Sequence, residues 1–289
     1  MKKNIFNETQ LCISISKRPG LYGTTIHNAG YQVLGLNFFY KAFGTNDLEG
    51  AIKGVRALQI RGCSVSMPYK EKVIEYIDEL DLSAKQVKAV NTIVNVNGKL
   101  IGYNTDVVSL KKCLKKISKN KNQLVFVLGA GGMSRAVLVA LDYLKMKNIL
   151  ITNRTMSKGK KIAKEFDLEF IPWKNRNNIQ ADIIINSTSI GMYPIILESP
   201  LSDKIIKKSK IVVDVVSNPI KTKLIKIAIK NKKNIILGTD LAFEQACEQF
   251  KLYTRKKPPI LAMKKAATKL LLKKEKYIIK NLDTKNNKK

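Results

Sequence analysis

The sequence predicts an α/β protein built from two domains. Its 289 residues exceed the length of one typical domain, and 45% of them are hydrophobic, which is enough to bury a sizeable core. Beyond residue 122, apolar strand-like segments alternate with helical ones, the pattern of a doubly wound parallel sheet. The first of these strands runs straight into Gly129, Gly131 and Gly132, a glycine-rich turn typical of dinucleotide-binding domains.

The segments before this turn predict a smaller α/β unit that ends near Asp106. Asp47–Leu58 carries apolar residues at helical spacing, and Asn97-Gly98 is a strong signal for the tight turn of a β-hairpin. A glycine-rich loop covers Pro19–Gly23. In this unit we expect strands at 10–14, 37–43, 62–66, 90–96 and 99–103, and helices at 25–34, 47–58 and 71–80.

The second unit is expected to alternate strands and helices as far as Gly238. After that residue the pattern is wholly helical, through 241–253 and 260–279, and the basic tail at 281–289 is expected to fray. We therefore place domain boundaries after residues 106 and 239. The expected strands are 123–128, 148–152, 182–186, 211–215 and 234–237, and the expected helices run from the glycine turn to about 145 and over 157–166 and 222–230.

The net charge of +31 raises the question of a polyanionic partner. Lys and Arg number 53 against 22 Asp and Glu, yet only seven of the 53 are arginines, the residues that make bidentate contacts to bases. The lysines are spread over helical segments, where a solvated face is the simpler explanation, and codon bias towards Lys, Asn and Ile would produce the same excess. We expect no specific nucleic acid and no membrane partner, and binding to a polyanion through charge alone is the alternative.

The cysteines and the lone histidine argue against a metal site. Cys12, Cys63, Cys113 and Cys247 lie tens of residues apart and form no CxxC pair, so no zinc site is expected. We expect His27 to pack or cap a helix rather than to act as a catalytic acid or base. Neither a signal peptide nor a membrane span is recognisable, so we expect a soluble cytoplasmic protein with reduced thiols. We expect it to act on a small molecule as a monomer or homodimer.

The glycine-rich turn indicates where a dinucleotide would bind. Gly129 would make the turn and Gly131 would let the backbone approach a pyrophosphate, while the following helix offers N–H donors and the positive end of its dipole. Ser134 stands where a third small residue is expected. A purely structural strand–turn–helix is the alternative.

The end of the next strand distinguishes the two common nicotinamide cofactors. An NAD site places a carboxylate there to bind the ribose 2′-hydroxyl, and the sequence 151–155 has none. Arg154 and Lys158 can instead face a 2′-phosphate, with Asn153 and Thr155 as hydrogen-bonding partners. The sequence therefore predicts NADP, with the alternative that Arg154 is an ordinary surface charge.

No side chain outside the first unit is a good candidate for the catalytic acid or base. Tyr143 and Lys147 form a Tyr-x-x-x-Lys pair, the mark of another class of reductase, but they fall at the end of the first helix after the glycine turn. That place does not face a nicotinamide, so we regard the pair as chance. The acid or base is therefore expected to be a Lys, Asp or Tyr of the first unit, facing the cleft between the domains.

Several separated motifs, in the same order along nearly the whole chain, resemble the shikimate dehydrogenase family. The opening segments Ser14–Gly20 and Gly23–Asn28 resemble a divergent shikimate dehydrogenase-like branch of that family. The motifs that carry the resemblance are Ser66–Lys70 (SMPYK), Ala89–Thr92 (AVNT), Asn104–Asp106 (NTD), Gly129–Arg135 (GAGGMSR), Asn153–Thr155 (NRT), Asn186–Met192 (NSTSIGM) and Gln245.

The resemblance implies an NADP-dependent enzyme that reduces 3-dehydroshikimate to shikimate. It implies a substrate-binding and catalytic domain at 1–106, a Rossmann domain at 107–239, and C-terminal helices at 240–289 that return to the substrate domain. Lys70 and Asp106 would be the catalytic pair, since an ammonium held by a carboxylate can donate a proton to a developing alkoxide.

The resemblance also implies which residues hold the two ligands. Ser14 and Ser16 would bind the substrate carboxylate, Asn91 and Asp106 its ring hydroxyls, and Ser66 and Gln245 would lie beside it. The cofactor would be held by Gly129, Ala130, Gly131, Gly132, Met133, Asn153, Arg154, Thr155, Lys158, Val215 and Gly238.

The chain departs from the family pattern at three positions near the substrate. Ser217 stands in place of a substrate-facing tyrosine, Ile13 in place of a histidine, and Asp240 in place of a glycine. These changes leave the catalytic pair and the NADP site intact but alter the rim of the substrate site. Quinate or another cyclic hydroxy acid is therefore an alternative substrate, and a non-catalytic NADP-binding regulator is an alternative of a different class.

Overall fold

The computed structural model describes residues 8–117 and 120–286. For residues 274 and 276–286 it describes the backbone only. The chain divides into two compact α/β units, which confirms the predicted fold class. One unit contains the chain up to Thr105 together with the chain from Gln245 onwards, and the other is Asp106–Glu244.

The first unit contains a mixed sheet of six strands in the order β2-β1-β3-β5-β6-β4. Strands β1, β2 and β3 are mutually parallel, and β5 runs antiparallel to both of its neighbours. The strands are β1 (Gln10–Ser16), β2 (Phe38–Gly44), β3 (Gly62–Val65), β4 (Glu79–Leu80), β5 (Thr92–Val96) and β6 (Lys99–Tyr103).

The second unit contains a six-stranded sheet in the order β12-β11-β10-β7-β8-β9, parallel throughout. Read from β9, this is the chain order 3-2-1-4-5-6 of a doubly wound dinucleotide-binding fold. The strands are β7 (Leu124–Leu128), β8 (Asn148–Asn153), β9 (Glu169–Pro172), β10 (Ile183–Asn186), β11 (Ile211–Asp214) and β12 (Asn234–Ile236).

Ten α-helices are present in the part of the chain that is described. They are α1 (Tyr22–Val33), α2 (Leu48–Ala57), α3 (Leu82–Val87), α4 (Thr105–Ile117), α5 (Gly132–Tyr143), α6 (Met156–Glu165), α7 (Asp203–Lys208), α8 (Lys223–Lys230), α9 (Gly238–Thr254) and α10 (Ile260–Asn286). The helix α10 continues through Asn286, seven residues beyond the predicted end at 279, and residues 287–289 of the basic tail lie outside the described residues.

Strand β1 separates an apolar face from a polar one. Ile13 and Ile15 are buried in a core with Ile52 and Val55 of α2. Because side chains alternate along a strand, Ser14 and Ser16 lie on the opposite face. This polar face is where the substrate residues were predicted.

The predicted hairpin is confirmed. Asn97 and Gly98 connect β5 to β6 with φ values of 52° and 88°. Positive φ at both central residues is what a type I′ turn requires, and Asn and Gly tolerate it best.

The predicted helix at 71–80 is wrong. A short 3-10 helix covers Lys72–Tyr76, and the chain then extends as β4 beside β6. Asp78 accepts hydrogen bonds from the Leu100 backbone N–H and the Arg56 guanidinium, which favour the extended path over another helical turn. Four further short elements were not predicted: α3, β9, α7 and a 3-10 helix at Trp173–Asn178.

His27 is a packing residue, as the sequence suggested. It is fully buried, and its ring stacks on Tyr40 with 4.6 Å between the ring centroids. Burial lowers the pKa of His27 to about 4, so the ring is neutral at pH 7.

All four cysteines are buried and unbridged. Within 8–117 and 120–286, no three side chains of His, Cys, Asp or Glu are grouped as a metal ion would require. Among the same residues, none of the helices combines the length and apolar character needed to cross a bilayer.

Candidate active site

A pocket of about 320 Å³ lies at the carboxyl edge of the parallel sheet in the second unit. Seven of the eleven residues predicted to hold the cofactor line it, and they come from the turn after β7 and the turn after β8. Those seven are Gly129, Ala130, Gly131, Asn153, Arg154, Thr155 and Lys158.

The glycine turn offers space for a pyrophosphate at one residue and is tightly packed at another. A Cβ on Gly131 would meet no atom within 4 Å, although the residue lines the pocket, so its backbone is open to a ligand. Gly129 has φ of 120°, and a Cβ there would lie 2.8 Å from Oγ of Ser187 and 3.0 Å from Oγ of Ser134. Only glycine fits at position 129.

The hydroxyl of Ser134 takes part in a chain of hydrogen bonds. The Gly131 N–H donates to Oγ of Ser134 (3.1 Å), which lies 2.8 Å from Oγ of Ser187. Ser187 in turn donates to the Leu128 carbonyl at 2.7 Å, so the Ser134 hydroxyl supplies the proton between the two serines. These bonds tie the glycine turn to the segment after β10.

Two cations stand where the second strand ends. Arg154 and Lys158 line the pocket and are exposed, and Asn153 Nδ2 donates to the Thr155 carbonyl at 2.8 Å, which shapes the turn between them. Thr155 precedes α6, whose N-terminus adds a partial positive charge to the same corner. The donor set here suits a phosphate, and among residues 8–117 and 120–286 no carboxylate lines the pocket.

Four residues predicted for the cofactor do not line this pocket. Gly132 and Met133 are the first two residues of α5. Val215 and Gly238 lie against each other instead, since a Cβ on Gly238 would fall 2.6 Å from the Val215 carbonyl oxygen.

Two sets of pocket residues were not predicted from the sequence. Trp173 lines the pocket from the end of the edge strand β9, with the Arg176 guanidinium 4.4 Å from its ring centroid. The segment 187–190 lines it after β10, and its place in the NSTSIGM motif was a signal that it belongs to the site.

Asp214 holds this second segment in place. Its fully buried carboxylate accepts hydrogen bonds from Asn186 Nδ2 (3.0 Å), the Val216 N–H (3.0 Å) and the Thr222 hydroxyl (2.5 Å). Asn186 Nδ2 also donates to the Ile190 carbonyl at 3.2 Å. Desolvation raises the pKa of Asp214 to about 6, against the effect of the three hydrogen bonds.

Replacing Asp214 by Asn should change how stability depends on pH. Because the folded state raises this pKa from 3.8 to about 6, it binds the proton more tightly than the unfolded state, and ionisation lowers the free energy of unfolding as pH rises between those values. The full effect is about 3 kcal/mol above pH 6. Asn can keep the bonds from Asn186 and Val216, so Asp214→Asn should gain stability relative to the parent from pH 4 to pH 7, measured by urea unfolding.

Asp182→Asn is the matched control, because the pKa of Asp182 is shifted in the opposite direction to that of Asp214. The Lys210 ammonium and the Leu124 N–H lower the pKa of Asp182, so its ionised form stabilises the fold at neutral pH. That contribution is lost only as pH falls below about 4. An unfolding free energy of Asp214→Asn that runs parallel to the parent from pH 4 to 7 would contradict the assigned shift.

In the first unit, backbone hydrogen bonds bring the predicted substrate segments together. The Lys70 carbonyl accepts the Val90 N–H at 2.7 Å, and the Asn91 carbonyl accepts the Val65 N–H at 2.9 Å. Asn91 Oδ1 then accepts the Thr105 N–H at 2.8 Å. Lys70 and Asn91 therefore lie on directly bonded segments.

Asp106 follows Thr105 in the first turn of α4 and is buried. A helix N-terminus favours a negative charge at that position.

The serine residues lie on the polar face of the sheet. Ser14 is opposite Ser64 in the pairing of β1 with β3, and the Ser66 N–H donates to the Ile15 carbonyl at 3.0 Å. Ser16 and Ser66 therefore stand at the carboxyl ends of adjacent parallel strands. Ser16 is buried, Ser14 is half-buried and Ser66 is exposed.

Asn91 carries an unused donor. Its Oδ1 accepts three hydrogen bonds, from the Thr92 hydroxyl (2.8 Å) and from the N–H and hydroxyl of Thr105 (2.8 and 3.0 Å). A backbone N–H can only donate, so the amide orientation is fixed. Nδ2 is buried and has no partner among the described residues. A buried donor without an acceptor costs about 1–3 kcal/mol, which a ligand oxygen would recover.

Gln249 was missed by the sequence analysis. It is buried, and its Nε2 lies 2.9 Å from Oγ1 of Thr92 and 3.1 Å from Oγ of Ser64. The predicted Gln245 is half-buried one turn earlier on α9, so the two share a helix face. The spacing of four residues between the two glutamines was the sequence signal that could have identified Gln249.

The structure shows where the three residues that depart from the family pattern lie. Ser217 is exposed, three residues beyond β11, and Ile13 is part of the apolar core behind β1. Asp240 accepts the Leu237 N–H at 3.1 Å and so caps the start of α9.

Two family models match the chain. The model described as shikimate dehydrogenase substrate binding domain matches residues 21–93, and the one described as shikimate / quinate 5-dehydrogenase matches residues 111–235. The first covers segments of the first unit and the second lies within the parallel-sheet unit.

Curated relatives match over most of their length. A shikimate dehydrogenase-like protein of Haemophilus influenzae is 44% identical over 256 residues, covering 88% of this chain and 94% of that protein. A shikimate dehydrogenase (NADP(+)) of Methanococcus maripaludis is 37% identical over 263 residues, covering 85% and 91%.

Solved structures are similar throughout. A shikimate 5-dehydrogenase-like protein is 43% identical with a TM-score of 0.87, covering 92% of this chain and 98% of that one. A shikimate dehydrogenase in complex with NADP+ is 33% identical with a TM-score of 0.84, covering 93% and 98%. A 5-ketofructose reductase of Gluconobacter is 27% identical with a TM-score of 0.81, covering 92% and 100%.

Proposed function

The chain belongs to the shikimate dehydrogenase family of NADP-dependent oxidoreductases, and we propose that it reversibly reduces 3-dehydroshikimate to shikimate. The observation that carries the substrate half is the Asn91 amide, whose buried Nδ2 needs an oxygen acceptor. A ring hydroxyl of a polyhydroxylated acid is such an acceptor. The cofactor assignment rests on the pocket around the glycine turn, whose lining residues suit a phosphate.

We assign the substrate carboxylate to the polar face of the first unit. Ser14 and Ser16 project from the same face of β1, and Ser66 follows β3 beside them. Hydroxyl donors and a long-range field from a chain of net charge +31 both favour an anionic ligand. Gln245, half-buried on α9, would contact the same ligand.

The proposed chemistry needs one proton donor. NADPH, when bound, supplies a hydride to the ketone carbon. Lys70 would hydrogen-bond the ketone oxygen and donate its proton as the alkoxide forms, which stabilises the charge that develops there. Asp106 would hold the ammonium and accept a hydrogen bond from a neighbouring ring hydroxyl.

The cofactor would be NADP because, in the described part of the chain, two cations and no carboxylate line the corner proposed for the adenosine ribose. Arg154 would pair with the 2′-phosphate through two N–H groups and Lys158 as a point charge. Gly131 would leave room for the pyrophosphate.

The domain roles follow from these assignments. We propose that residues 1–106 bind substrate and carry the catalytic pair, that 107–239 bind NADP, and that the helices of 240–289 support the substrate domain. Gly30 of α1 supports the last assignment, since a Cβ there would lie 2.7 Å from Phe250 and 3.2 Å from Met263 of the C-terminal helices.

A second candidate substrate is quinate or another cyclic hydroxy acid. Ser217 favours it, because it places a small hydroxyl where the family pattern has a larger, substrate-facing tyrosine. Ile13 does not contribute, since its side chain lies in the core on the other face of β1. The Gluconobacter relative, whose name assigns it 5-ketofructose, shows how far substrates differ on this fold. Its similarity supports testing several hydroxy compounds.

A substrate panel tests the proposal. Shikimate, quinate and other cyclic hydroxy acids are each assayed with NADP and with NAD, and we expect the largest kcat/KM for shikimate with NADP. Faster turnover of quinate would favour the second candidate. Binding of NADP, detected by the fluorescence of Trp173, the only tryptophan in the chain, without turnover of any acid would instead favour the regulator.

A further inference from the structure

We propose that Gln249 is a positioning residue that sets the Asn91 amide for substrate binding, an inference that rests on the proposed role of Asn91. Gln249 does not touch the substrate in this scheme. It acts through the hydroxyl of Thr92, which stands between the two amides. The three residues belong to the same unit of the fold.

The orientation of the Gln249 amide follows from its neighbours. Nε2 lies 3.4 Å from the Asn91 backbone carbonyl, and a carbonyl can only accept. Nitrogen rather than oxygen therefore faces Thr92, Ser64 and this carbonyl. An N–H of Gln249 donates to Oγ1 of Thr92 at 2.9 Å.

This contact decides where the Thr92 proton goes. A hydroxyl has one proton and two lone pairs, and the Gln249 N–H occupies a lone pair. Oγ1 of Thr92 lies 2.8 Å from Asn91 Oδ1 and 3.2 Å from Oγ1 of Thr105, and we assign its proton to the shorter contact, with Asn91 Oδ1. The relay runs from Gln249 through Thr92 to Asn91 and leaves Asn91 Nδ2 for the ligand.

Gln249 also joins the two sides of the candidate substrate site. Its second contact, Oγ of Ser64, lies on the strand beside Ser14, and the Tyr40 hydroxyl hydrogen-bonds both serines. One buried side chain thus connects the proposed carboxylate end with the proposed hydroxyl end. Buried networks of this kind restrict side chains to one arrangement when every member has a partner.

Two substitutions separate positioning from packing. Gln249→Met keeps length and apolar bulk but removes the donor. Gln249→Glu keeps the shape but presents carboxylate oxygens, which would draw the Thr92 proton away from Asn91. We expect each to raise KM for the acid about tenfold or more, the effect of one hydrogen bond, with Glu the worse and kcat within about threefold. NADP affinity should stay at the parent value.

The control is Glu248→Gln on the same helix. Glu248 pairs with Lys251 at the neighbouring position of α9, and its substitution removes one charge there while Gln249, Thr92 and Asn91 are kept, so KM should be unchanged. Thr92→Val removes the middle of the relay, and combining it with Gln249→Met should add little to the worse single variant. Full additivity would overturn the relay.

A ligand-free measurement keeps the relay testable if the panel finds no substrate. The side-chain ¹⁵NH₂ resonances of Asn91 are assigned by their loss in Asn91→Asp. We expect them to shift or broaden in Gln249→Met and in Thr92→Val but not in Glu248→Gln. Unchanged resonances in Gln249→Met would overturn the relay, whereas an inert parent enzyme with shifted resonances would overturn only the proposed substrate.

Discussion

Lys70→Met will lower kcat by about 10²–10⁴, the usual range for a positioned acid or base. Methionine keeps the length and the apolar contacts of the lysine stem while removing the ammonium that would protonate the new alkoxide. The affinity for NADP should be unchanged, because the cofactor pocket is lined by residues of the other unit. Steady-state kinetics on the acid identified by the panel, with NADP binding measured by Trp173 fluorescence, gives both numbers.

The partner substitution tests whether the two residues act as one unit. Asp106→Asn should cost a similar factor, and the double variant should be little worse than the worse single one, because residues that act together are not additive. Lys72→Met is the matched control, since this exposed lysine lies two residues further along the chain. Turnover of Lys70→Met near that of Lys72→Met would refute the pair.

Local signals were enough to predict the glycine turn that lines the pocket. The strand, the glycine turn and the helix are consecutive in the chain, so spacing alone places Gly129 and Gly131 beside the pocket. The cations after β8 are likewise set by the length of one strand and one helix. Trp173 escaped prediction because it reaches the pocket from a four-residue edge strand that has no clear apolar pattern.

The substrate side depends on contacts between distant segments. Asn91 was predicted from a motif, but its unused Nδ2 follows only from the Thr105 N–H, which is brought to it by the hairpin of β5 and β6. Gln249 is 158 residues from Asn91 in the chain, and a glutamine on a helix is usually at the surface. The false helix at 71–80 has a similar cause, because Asp78 finds its partners on other elements.

Arg154→Ala should weaken NADP binding by about 1.5–3 kcal/mol, roughly 10- to 150-fold, and leave NAD binding nearly unchanged. The reason is that Arg154 lines the pocket at the end of β8, where only NADP would place a phosphate. The loss should shrink as salt is added, because the side chain is exposed and its charge is screened. Titration of each cofactor against Trp173 fluorescence measures both affinities in one protein.

The matched control for Arg154 is Lys160→Ala, which removes the same unit of charge from α6 at a residue that does not line the pocket. If the +31 net charge simply attracted anionic nucleotides, both variants would weaken NADP equally and only at low salt. If Arg154 pairs with the 2′-phosphate, Lys160→Ala should bind NADP like the parent, and Arg154→Ala should approach the affinity that the parent has for NAD. An equal loss of NADP and NAD in Arg154→Ala would show that this side chain does not distinguish them, and the preference would then have to come from Lys158.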